Sequence, residues 1–137
     1  MENKILLEIV TPERLLTKEW VDEVIAPGTE GEFGVLPGHT PFLTTLKIGE
    51  ISYRKNRETR YIAVSWGYVE VGPSKITILA ETAEMAEEID IKMAEEARAR
   101  ALAILAKKDA EEKEFKKAEA TLEKALVRMQ VVGKITR

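Results

Sequence analysis

Residues Gly28 to Pro41 read GTEGEFGVLPGHTP, and their reading decides how the chain is laid out. The stretch holds four of the eight glycines, two of the five prolines and the only histidine, His39. Glycine lacks the Cβ that restricts the backbone, and proline lacks the N–H that a helix needs, so this density forbids a regular helix. It predicts an elaborated loop between strands. A loop so composed is expected to touch a partner rather than merely connect.

Upstream, Ile5, Leu7 and Ile9 alternate with Leu6, Glu8 and Val10, the period of a strand. Thr11-Pro12-Glu13-Arg14 predicts a turn, and Leu15 and Leu16 begin a second strand. Val21, Val24 and Ile25 lead into Pro27-Gly28, which reads as another turn. Downstream, Phe42 to Leu46 is strand-like. Ile51 to Tyr53 and Thr59 to Val64 flank a polar hairpin tip at Lys55-Asn56-Arg57-Glu58. Trp66 to Val71 and Ile76 to Leu79 flank a second tip at Gly72-Pro73-Ser74-Lys75, and Gly67 inside that pattern predicts a bulge. Short strands in close succession, with no helix between them, indicate an antiparallel sandwich or flattened barrel.

The composition changes near Glu84. Every glycine except Gly133 and every proline precede it, and most of the alanine follows. Met85 to Lys108 and Asp109 to Val131 therefore read as two helices, with Asp109 capping the second and Glu112 in its first turn. Ala94, Ala97, Ala101 and Ile104 form one seam; Phe115, Ala118, Leu122, Ala125 and Met129 form the facing one. The predicted fold class is α+β. An N-terminal antiparallel β-sandwich spans residues 1–84 and a C-terminal α-helical hairpin spans 85–137. Alanine seams bury little apolar area at roughly 25 cal/mol per Å², so the hairpin is expected to be marginal by itself. Ile91, Leu102, Leu105, Leu126 and Val127 fall off the seams and call for burial, against the sandwich or on a partner.

Charge and chemistry narrow the function. Lys+Arg 21 against Asp+Glu 24 leaves a net charge of -3, which argues against nucleic acid as a partner. There is no cysteine, so disulfides and thiolate chemistry are excluded. The opening MENKILLEIVTPE resembles neither a signal nor a transit peptide, and no apolar run approaches the roughly 20 residues of a membrane span. GTEGEFG lacks the following Lys-Ser/Thr of a phosphate loop. His39 has no second His or Cys for a metal, and Ser65 and Ser74 sit in no nucleophile elbow. Glu81, Glu84, Glu87 and Glu88 read as a solvated face at a helix start, where acids complement the macrodipole. No constellation demands catalysis.

The run Gly28 to His39, with Pro41 and Leu46 to Gly49, is joined by AVSWGYVEV at Ala63 to Val71 and ILAETA at Ile78 to Ala83. With the alanine-rich hairpin behind it, this order resembles the ε subunit of F-type ATP synthases over essentially the whole chain. The resemblance implies a non-catalytic subunit with no required cofactor, peripheral to the cytoplasmic face of the bacterial plasma membrane. Its sandwich would bind the γ shaft and rest on the ring of c subunits, coupling proton flow to rotation. Its helices would lie against the sandwich or extend along γ to the α and β subunits, blocking ATP hydrolysis.

Carried over by position, the c-ring and γ contact loop would be Glu30, Gly31, Glu32, Phe33, Gly34, Pro37, Gly38 and His39. Lys116, Lys117, Lys124 and Arg128 would meet acidic segments of the β subunits. Some bacterial relatives bind ATP between the helices. Here Ile89, Asp90 and Ala94 fit that motif, with Arg100, Lys124 and Arg128 at further positions. Met93 stands in place of the motif arginine, and a thioether offers a phosphate no charge, so ATP binding is expected to be weakened. The competing readings are a free-standing ATP sensor and a generic adaptor with a mobile hairpin.

Overall fold

Alternation of apolar and polar residues builds the first half of the chain. In β1 (Ile5–Val10), Ile5, Leu7 and Ile9 are fully buried and their neighbours are only partly so. The computed structural model describes residues 3–135. After β1 come β2 (Leu15–Val21), β3 (Glu23–Gly28), β4 (Gly31–Val35), β5 (Phe42–Leu46), β6 (Gly49–Lys55), β7 (Glu58–Val71) and β8 (Lys75–Met85). The strand order is β2-β1-β8-β7-β5-β3-β4, with β6 pairing to both β3 and β7. All pairs are antiparallel except β1 with β8, which run parallel from Leu6 opposite Lys75 to Val10 opposite Leu79.

The long β7 folds this sheet into two layers. Its first half, Glu58 to Val64, pairs with β6; its second, Gly67 to Val71, pairs with β5. Strand β3 links β6, β4 and β5 on the far side. Between the layers lie Ile5, Leu7, Ile9, Val24, Ile51, Ile62, Val69, Ile76 and Ile78, all without exposed surface. Aliphatic side chains of this size stabilise by about 1.5–3 kcal/mol each when fully buried, which makes a self-sufficient core.

Several expectations require correction. The stretch from Gly28 is not one loop, because Gly31 to Val35 form β4 and pair with β3. Pro27-Gly28 lies within β3, and the turn falls one step later at Thr29-Glu30. Gly67 marks a kink rather than a bulge: Ser65 faces Thr82 and Gly67 faces Ala80, so no residue is inserted. The first helix does not begin at Met85. Strand β8 runs through that residue, a single 3₁₀ turn follows at Ala86–Glu88, and α1 spans Ile91–Leu105 with Asp90 as its cap. Helix α2 spans Glu112–Ile135, so Asp109 lies in the connection rather than at the cap.

The seams meet through their alanines, with Ala94 and Ala101 of α1 and Ala118 and Ala125 of α2 buried, whereas Phe115, expected on the second seam, is exposed near the start of α2. The hairpin touches the sandwich through a small cluster, Ala63, Ala86 and Val131, flanked by Tyr61, Ile89 and Val127. Of the off-seam residues only Val127 is placed there, while Ile91, Leu102 and Leu126 stay exposed.

Candidate functional site

The junction of sandwich and hairpin gathers the chain's polar groups. Asp90 has extended backbone, and its carboxylate accepts hydrogen bonds from the N–H groups of Lys92 at 3.1 Å and Met93 at 3.2 Å. It thereby satisfies two orphan donors of α1. Next to it opens a cavity of about 280 Å³ lined by Glu84, Ile89, Asp90, Met93, Ala94, Ala97, Arg100 and Arg128. Five of the six residues expected around ATP are thus brought together: Ile89, Asp90, Ala94, Arg100 and Arg128. Lys124 is not among them.

Part of the charge in this cavity is already committed. Arg128 Nε donates to Glu84 Oε1 at 2.5 Å, and both side chains are about two-thirds buried. Arg100 is exposed and forms no ion pair among the described residues. Met93 is exposed and adds no charge. Sequence reading assigned Glu84 to a solvated face. Its role was hidden because Arg128 is distant in the chain and β8 extends one residue past it.

Lys124 turns to the sandwich instead, with its Nζ 4.4 Å from the centroid of the Trp66 ring. Farther along α2, Lys134 Nζ lies 3.8 Å from Glu50 Oε2 and Gln130 Nε2 donates to Glu50 Oε1 at 3.2 Å. Lys116 pairs within the helix to Glu112 at 3.2 Å, and Lys117 is exposed. The four basic residues expected to meet catalytic subunits therefore divide into an outward pair and an inward pair.

The 3₁₀ turn is pinned separately. Arg14 grips Glu88 with two nitrogens, at 2.6 and 2.9 Å, and also donates to the Ala83 carbonyl at 3.3 Å. That guanidinium holds the Glu88 carboxyl below its ordinary range, against the opposing effect of burial.

On the sandwich, the expected contact loop splits between the two ends of β4, about 13 Å apart by strand rise. Glu30 and Gly31 sit at the β3–β4 turn, and Glu32, Phe33 and Gly34 follow along the strand. Pro37, Gly38 and His39 lie beyond it. Gly38, at φ +83°, donates its N–H to the Pro73 carbonyl at 2.7 Å, which ties this loop to the β7–β8 turn. His39 Nδ1 donates to the Thr40 carbonyl at 2.7 Å and its ring lies 5.3 Å from that of Phe42. Phe42 in turn meets Phe33 edge-on at 5.1 Å.

The outer face of β5, β7 and β8 carries exposed apolar residues among polar ones such as Thr45, Glu70 and Thr77. Leu43, Tyr68 and Leu79 are 67, 57 and 49% exposed, and Tyr68 stands directly opposite Leu79. Exposed aliphatic and aromatic residues side by side on a sheet mark a surface that meets another protein.

Comparison with known proteins agrees with this architecture. The family described as ATP synthase, Delta/Epsilon chain, beta-sandwich domain matches residues 4–86. Its companion, the long alpha-helix domain of the same chain, matches residues 87–133. The chain belongs to the ATP synthase delta/epsilon chain family. An ATP synthase epsilon chain of Trichlorobacter lovleyi is 53% identical over 137 residues, covering 100% of this chain and 99% of the relative. That of Geobacter metallireducens is 52% identical with the same coverage. A chain in the mitochondrial ATP synthase of Euglena gracilis shares the fold with a TM-score of 0.84 at 22% identity, covering 96% of this chain and 83% of that one. Membership of this epsilon family makes the chain a subunit of an ATP synthase rather than an enzyme by itself.

Proposed function

We propose that this central-stalk subunit joins the γ shaft to the ring of c subunits and restrains ATP hydrolysis with its hairpin. The observation that carries the reading is unequal attachment. The sandwich has a deep aliphatic core, whereas the hairpin meets it through only three buried residues, Ala63, Ala86 and Val131. A part so lightly held exchanges partners at small cost.

In this reading residues 1–84 couple proton flow to rotation and residues 85–137 regulate. The exposed face around Leu43, Tyr68 and Leu79 suits the γ shaft. The end bearing Pro37, Gly38 and His39, with its backbone close to the surface, suits the c ring. Lys116 and Lys117, and Lys124 and Arg128 once freed, suit acidic segments of the α and β subunits by long-range attraction. No described helix is long and apolar enough to cross a membrane. As a subunit of that complex the chain is peripheral to the membrane, and in this reading it works on the cytoplasmic face of a bacterial plasma membrane.

A second reading, ATP in the cavity beside Asp90, is favoured by the five expected residues that line it. Glu84 already occupies Arg128 and Met93 supplies no charge, so the affinity is weak.

The test is ATP hydrolysis by a catalytic hexamer with its γ shaft, measured alone, with the full chain, and with a version ending at Glu88. That end keeps β8 whole and retains the Arg14 pair. The full chain is expected to slow hydrolysis several-fold, and the short version to bind without slowing it. Equal rates with both versions bound would overturn the regulatory reading.

A further inference from the structure

Two side chains of α2 reach the sandwich from successive turns of one face. Lys124 lies over Trp66 and, four residues on, Arg128 meets Glu84. Their partners are neighbours on the β7–β8 ladder, where Ala63 faces Glu84 and Ser65 faces Thr82. The sandwich side of this contact is built in advance. Trp66 holds a left-handed φ of +41°, which a large side chain rarely adopts inside a strand. Gly67 follows at φ +150°, where an added Cβ would stand 1.8 Å from the Leu79 carbonyl oxygen. The kink is therefore fixed by backbone packing, and it offers the indole to the helix whether or not the helix is there. Ser65 and Thr82 hydroxyls pair beneath it.

We propose that Lys124 on Trp66 and Arg128 on Glu84 form a latch that holds the hairpin against the sandwich and keeps both cations from any other partner until it opens. Beneath the latch the apolar contact is small, Ala63, Ala86 and Val131 flanked by Tyr61, Ile89 and Val127, so charged contacts weigh in the balance. Both are partly solvated and hence weakened by salt. The latch deepens the regulatory reading and rests on it only for what the freed cations meet next. Its own test needs no other subunit.

The experiment uses the full chain with Trp20→Phe, which leaves Trp66 as the single tryptophan. Trp66 is 41% exposed with α2 in place, and quenching of its fluorescence by neutral acrylamide reports the further exposure that release of α2 would bring. Arg128→Glu removes a contact that is not on the indole, so it exposes Trp66 only if the helix moves away. Lys124→Met keeps the stem and removes the charge. Each is expected to lower the ratio of docked to released hairpin roughly two- to fivefold. Glu84→Arg added to Arg128→Glu should restore protection. The parent protein should lose protection in about 0.5 M sodium chloride, where charges are screened within roughly 4 Å. Helicity by far-UV circular dichroism separates release from unfolding, and the salt titration stands even if a variant fails to fold. Quenching unchanged by Arg128→Glu and by salt would overturn the latch. That result would leave the hydrolysis assay untouched, just as equal hydrolysis rates would leave the latch standing.

Discussion

The sandwich and the hairpin are continuous through β8 yet are held by different kinds of contact. The sandwich interior is isoleucine, leucine and valine drawn from distant strands. The hairpin interior is alanine against alanine, Ala94 and Ala101 facing Ala118 and Ala125. Alanine allows close helix approach but removes little apolar surface from water, so the second part has a defined shape and a loose position. Charge helps to fix its position: Arg128 on Glu84, Lys124 on Trp66, Lys134 on Glu50. A rigid platform carrying a positionable arm follows from which residue types fill each interior.

The contrast can be probed at three places. The largest effect is expected at Gly67→Ala. The new Cβ would overlap the Leu79 carbonyl, which is backbone and cannot step aside, and φ +150° is strained for any L side chain. The expected loss is about 3–5 kcal/mol, read as a lower urea midpoint for the whole sandwich. A loss below about 1 kcal/mol would mean that the β7 kink relaxes and that the platform is softer than its core suggests.

Asp90→Ala should act on the arm alone. It removes the two cap bonds at the start of α1, worth about 1 kcal/mol. Amide exchange in the first turns of α1 should quicken by about fivefold, with sandwich amides unchanged. Faster exchange in β7 and β8 as well would show that the two parts open together.

The smallest effect concerns acid. Glu88 has a folded pKa below its ordinary value, principally through Arg14. A lowered carboxyl pKa contributes stability that is complete above the unfolded value near 4.5 and is lost as pH falls through the folded one. Both side chains are more than a third exposed, so solvent screening limits the effect to a few tenths of a kcal/mol. Glu88→Gln should therefore cost this small amount at pH 7 and less at pH 3, measured by chemical unfolding. An equal cost at both values would assign Glu88 a role through shape rather than charge.

Much of the platform was legible in the sequence because a buried strand imposes alternation, as Ile5-Leu7-Ile9 and Ile76-Ile78 show. Strand β4 was not. Glycines at 31 and 34 erase the alternation, and turn-forming residues surround it on both sides. The start of α1 was misplaced because Met85 to Asp90 contains neither glycine nor proline, the two residues that punctuate most plainly. Asp90 was the signal available there, a capping residue ahead of Ile91, and it was read as a ligand instead. In the candidate site, the motif carried over by resemblance gathered Ile89, Asp90, Ala94 and Arg100. It could not reveal that Lys124 would find Trp66, since a cation above an aromatic ring has no signature in spacing. Nor could it show Glu84 turning to Arg128 across the junction.

The parallel pairing of β1 with β8 also orders events during synthesis. The first strand to leave the ribosome keeps one edge open until the last strand of the sandwich has followed it out, residue 6 waiting for residue 75. Closure of so long a loop is slow, and until then an edge of unpaired N–H and C=O groups is available to neighbouring nascent chains. The arm emerges only after β8, and the surface that receives it, with Trp66 and Glu84, is complete once that strand has paired, so docking is the last step of a vectorial process.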